Sequence, residues 1–119
     1  MKQATNSIVF PPIFVFSDCR SYFEAFWIEN KTHAFFSSRY LANKLNWSHS
    51  YFHDVKSGRK KMTIQKCLEF AFFGKLHHLE VKYLLLLVLK DSDHDLTKQY
   101  ANTEIKYFNL TELKTNEHG

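Results

Sequence analysis

At 119 residues, 45% hydrophobic and 17% aromatic, the chain is long enough to bury one core and too apolar to remain disordered. Three glycines and two prolines against twelve phenylalanines point away from a sheet sandwich and predict an all-α protein. The net charge of +4 is uneven: residues 36–62 carry Arg39, Lys44, Lys56, Arg59, Lys60 and Lys61 against Asp54 alone, a local +5 that leaves the rest at −1 and favours a polyanionic partner.

Residues 1–16 read as an extended N-terminal arm, since Pro11 and Pro12 cannot continue a helix. The apolar run at residues 8–16 is broken by those prolines and has no small-residue cleavage site after it. Residues 84–89 are too short to span a bilayer. A cytoplasmic, nucleoid-associated location is therefore expected. Ser17 predicts the cap of a first helix, with Asp18 in its first turn and Tyr22, Phe23, Phe26 and Trp27 on one face. Residues 30–33 are a polar break.

Ser37 caps a second helix running to Leu45, with Tyr40, Leu41 and Leu45 inward and Asn46 suited to a left-handed stop. Ser48 is the expected cap of a third helix reaching Lys56, with Phe52 and Val55 toward the core and Gly58 closing it. Thr63 caps a fourth, with Ile64, Cys67, Leu68, Ala71 and Phe72 as its apolar stripe and Gly74 as its end. A fifth covers residues 79–89 and is apolar nearly all round, which suits a central position or an oligomer contact. Residues 91–119 form an acidic tail of net charge −3, part of which is expected to be a short helix. Cys19 and Cys67 lack CxxC spacing and read as reduced core thiols.

Two short helices joined by a tight turn, with basic excess around the second, are the physical requirement of a helix-turn-helix. Leu41 and Ala42 can pack on Phe52 and Val55, which leaves His49, Ser50, His53 and Asp54 on the outer side, where they would supply base discrimination if the unit binds DNA. Lys56, Arg59, Lys60 and Lys61 supply sequence-independent attraction to phosphate. Tyr51 is expected along the sugar-phosphate backbone or against a thymine methyl, while Tyr40, Trp47 and Phe52 read as core or rim packing.

The stretch FSSRYLANKLNWSHSYFHDVKSGRK resembles the lambda-repressor-like (XRE-type) helix-turn-helix, with its Leu-Ala pair, turn, recognition helix and closing glycine followed by basic residues. The resemblance implies a five-helix domain over residues 17–90. It also implies base-reading roles for His49, Ser50 and Asp54 and phosphate contacts for Ser38, Ser57 and Arg59. A looser likeness, carried by SDCRSYFEAFW and LEVKYLLLLVL, is to the N-terminal module of an uncharacterised regulator-like family found in predatory bacteria. Asn46 stands where the helix-turn-helix family favours glycine, and Trp47 replaces a small aliphatic residue, so that it either fills a gap or distorts the turn. Asp54 can accept from cytosine N4 but repels phosphate.

His49 and His53 are four apart and could share a zinc ion, but no glutamate follows His49 and no third ligand is evident, so no metal or other cofactor is assigned. No P-loop, GxSxG or paired carboxylates support catalysis. The expected function is sequence-specific binding of double-stranded DNA by a transcriptional regulator, as a homodimer joined through the fifth helix or the tail. The alternative is a helical protein-protein interaction module that keeps the fold without binding DNA.

Overall fold

The computed structural model describes residues 8–118, and the side chains of residues 8–109. Residues 1–7 of the expected arm, and the side chain of Leu110 in the tail, lie outside the described residues. Among the described residues the architecture is all-α. There, six α-helices follow a 3-10 turn at Ile13–Val15, one helix more than the five expected: α1 Cys19–Asn30, α2 Ser38–Leu45, α3 Tyr51–Ser57, α4 Ile64–Gly74, α5 His78–Lys90 and α6 Asp95–His118. The additional helix is the acidic tail, which forms 24 continuous residues rather than a short stretch. Its Ala101 and Phe108, seven residues apart, are buried on one face, and α6 packs along α5. Among the described residues no helix is long and apolar enough to cross a membrane.

Asp18, not Ser17, caps α1: its backbone is extended and its carboxylate accepts from the Ser21 amide at 2.7 Å. Tyr22, Phe23 and Phe26 are then buried. The helix ends on Asn30, read from sequence as part of a polar break but here fully buried. Its side-chain amide donates to the Val9 and Phe26 carbonyls, and its carbonyl oxygen accepts from the Val9 amide, each at 2.8 Å. A buried side chain so fully bonded ties the arm to α1, because removing it strands the Val9 backbone groups. Phe10 reinforces the tie, with its ring 5.1 Å from Phe26 and 5.4 Å from Phe70, aromatic pairs each worth about 0.5–1.5 kcal/mol beyond area burial.

Ser37 caps α2 as expected, and Asn46 ends it in the left-handed region (φ 59°, ψ 42°). In α4 the buried face is Cys67, Phe70 and Ala71. The expected stripe is displaced around the helix, leaving Ile64 half exposed and Phe72 largely exposed. Gly74 stays helical and Lys75 takes the left-handed cap (φ 53°). Glycine is required at 74 for close approach, since a Cβ there would meet the Phe10 ring at 2.6 Å. His77 and Glu80 form a capping box at the start of α5. That helix is central: Tyr83, Leu84, Leu86, Leu87 and Val88 are buried, and it packs on α1, α4, α6 and the 3-10 turn. Both cysteines are buried and free; burial raises both thiols, Cys67 to about 12.

Candidate nucleic-acid interface

The α2–α3 unit carries the segment marked by charge. Leu41, Ala42, Leu45, Phe52 and Val55 are buried, as their spacing requires. The Trp47 amide donates to the Ala42 carbonyl at 2.8 Å, so the turn is intact. Trp47 itself is buried and its indole N–H donates to Glu69 on α4 at 2.8 Å. It therefore fills a gap between the turn and α4, and that hydrogen bond holds the Glu69 carboxyl below its usual range.

Helix α3 begins later than expected. Ser48 contributes only its carbonyl, which accepts from the Tyr51 amide, and Ser50 occupies the capping position without a side-chain bond to the helix amides. His49 and Ser50 therefore lie on an exposed turn before the helix, not within it. His53 is half-buried, its ring centroid 4.9 Å from that of Trp27 on α1. Desolvation, then the charges of Lys56 and Arg59, lower its pKa below the ordinary 6.5. Among the described residues, no three His, Cys, Asp or Glu side chains come together in a metal-holding group.

Asp54 is occupied within the chain. Its carboxylate accepts from Arg59 at 3.0 Å and lies 3.7 Å from the Lys60 ammonium, and the Arg59 bond holds it below the usual carboxylate range. Its main-chain carbonyl accepts from the Arg59 and Lys60 amides and the Ser57 hydroxyl. These bonds fold residues 57–60 back over the end of α3, where Gly58 adopts φ 87°. Tyr51 is buried beside Trp47, with its phenol raised by burial and partly lowered by Thr63. Lys60 and Lys66 stand over that ring at 5.9 and 5.3 Å. Ser38 is half-buried in the first turn of α2.

Of the cations expected to meet phosphate, Arg59, Lys60 and Lys61 keep exposed side chains, at 68%, 54% and 56%. Lys56 is mostly covered and pairs with Glu24 of α1 at 3.5 Å. Arg20 of α1 joins this group: its Nε donates to the Lys56 carbonyl at 3.2 Å, and its guanidinium lies against Gly58. Sequence reasoning missed Arg20 because nothing local links it to residues 36 positions away. Lys66 was missed because it falls just beyond the segment of charge excess. From the other side, Asp93 in the α5–α6 linker pairs with Lys61, which lowers the Asp93 carboxyl. The site is thus a basic loop bounded by two carboxylates, beside a solvent-facing turn. Comparison of the chain with protein-family models, curated proteins and solved structures finds no match in any of the three.

Proposed function

We propose that this chain is a double-stranded DNA-binding transcriptional regulator of the lambda-repressor-like helix-turn-helix type. In this reading α2 braces α3, the turn bearing His49 and Ser50 meets base edges, and residues 59–61 grip phosphate. The observation that carries the reading is the exposed Arg59-Lys60-Lys61 run placed directly after the left-handed Gly58 turn that closes α3. Three adjacent cations on a loop fixed by backbone hydrogen bonds suit a polyanion better than an isolated charge does. Arg20 and Lys66 extend the same positive surface.

Fluorescence anisotropy on labelled duplex DNA over a salt series tests this. Wild type should bind with a steep salt dependence. Arg59→Ala/Lys60→Ala/Lys61→Ala should flatten the slope of log K against log salt by roughly 2–3, at about one counterion per phosphate contact. Folded wild-type protein that does not bind duplex at low salt would overturn the reading. Two observations favour a second reading, a helical protein-interaction module: Asp54 and Asp93 already pair with all three cations, and His53 is turned onto Trp27. Folded protein that ignores duplex DNA at low salt, wild type and triple variant alike, would support that module instead.

A further inference from the structure

We infer that the cavity between the start of α1, the loop after α3 and the end of α5 binds a free amino acid with a short apolar side chain, whose ammonium meets Asp91 and whose carboxylate meets Arg20. The cavity holds about 270 Å3, just below the roughly 300–1,000 Å3 of pockets for drug-sized ligands, so its occupant is small. Its charged walls are unevenly satisfied. Asp18 accepts from the Ser21 amide and hydroxyl, Lys60 lies against Asp54, and Lys61 pairs with Asp93. The Asp91 carboxylate is half-buried and, among the described residues, accepts no hydrogen bond and joins no ion pair. Burial, and then the charge of Asp18, raise its carboxyl above the usual range, which Lys61, Lys90 and Lys98 only partly offset.

Arg20 commits its Nε to the Lys56 carbonyl and rests Nη1 over Gly58, which leaves its terminal N–H groups without an acceptor among the described residues. An unpaired carboxylate and an unpaired guanidinium edge thus line one cavity without meeting each other. A lone anion there would face Asp18 and Asp91, and a lone cation would face Arg20, Lys60 and Lys61. A molecule carrying both signs satisfies both walls at once. A guanidinium also takes a carboxylate through two parallel N–H bonds, which orients the ligand. Val55 and Met62 add apolar surface to the lining, against which a short aliphatic side chain can rest. Binding is read without nucleic acid, so the inference does not rest on the DNA reading.

Isothermal titration of the full chain with glycine, L-alanine and L-valine, and with propionate and propylamine as single-charge analogues, tests it. At least one of the three amino acids should bind saturably at millimolar concentration or below. Propionate and propylamine, each with one of the two charges, should bind at least tenfold more weakly. Asp91→Asn and Arg20→Gln should each weaken amino-acid binding about ten- to hundredfold with unchanged circular dichroism, as expected for loss of a charged hydrogen-bond partner. Glu104→Gln, outside the cavity lining, should bind as wild type does. No saturable binding of any of the three by folded wild type, or equal binding of propionate or propylamine, would overturn the inference. So would full affinity in Asp91→Asn or Arg20→Gln, or equal loss in Glu104→Gln.

Discussion

His49 and His53 are one helical turn apart in sequence spacing, yet their surroundings give them different chemistry. His49 is exposed on a turn, whereas His53 lies edge-on to Trp27 and against Phe52, where charge is poorly solvated. Lys56 and Arg59 disfavour its protonation further. These effects favour the uncharged imidazole at neutral pH, which weakens any His53 contribution to phosphate attraction. Because its folded pKa lies below 6.5, the unfolded chain takes up the proton first as pH falls. Its contribution to stability is intact above about 6.5 and is lost as pH drops through the folded value. Urea unfolding at pH 7 and pH 5 should show a fall in midpoint on acidification that His53→Gln reduces. An equal fall in the variant would place the acid sensitivity at other groups.

At the scale of elements, the two internal glycines illustrate different uses of a missing side chain. Gly58 takes a left-handed conformation that a Cβ strains, whereas Gly74 is helical and makes room for Phe10. The Gly58 turn also aims residues 59–61 outward while Arg20 lies across it. Gly58→Ala should destabilise the protein by about 1–2 kcal/mol, mostly from the backbone, since the guanidinium can swing aside. Gly58→Asn should cost less, because asparagine tolerates the left-handed region. Chemical denaturation of the three proteins checks this, and an unchanged Gly58→Ala would contradict the strained turn. Asn46 ends α2 in just that region, and its fitness for the role was legible from its residue type. The late start of α3 was not, because Ser48 and Ser50 are equally good caps on paper and only the Ser48 carbonyl geometry separates them.

Across the whole molecule, opposite charges from distant segments meet at one loop. Asp93 follows α5 and Lys61 precedes α4, 32 residues apart, yet they pair, so the linker rather than helix α6 supplies acidic contact to the basic loop. Both side chains are well exposed, which keeps the pair weak. If the loop grips phosphate, Asp93 competes with DNA for Lys61. Asp93→Asn should then raise low-salt affinity by about two- to fivefold and steepen the salt slope by about one. Anisotropy on the same duplex measures both. Wild-type binding with no change in the variant would show that Lys61 is not a phosphate contact, without touching the other cations.

The sequence by itself determined the all-α class, the order and approximate place of the first five helices, most of the buried residues of α1 to α3, the left-handed stop at Asn46 and the concentration of positive charge before residue 62. These follow from local rules, helical spacing, capping and composition, which act over a few residues. Only tertiary structure decided the buried role of Asn30, the turning of Trp47 onto Glu69, the burial of Tyr51, the recruitment of Arg20 and the pairing of Lys61 with Asp93. Each joins residues more than ten positions apart or depends on what covers a side chain. The sixth helix belongs with these: its mixed composition is a weak helix signal alone, and burial of Ala101 and Phe108 in the chain supplies the packing that sequence periodicity did not announce.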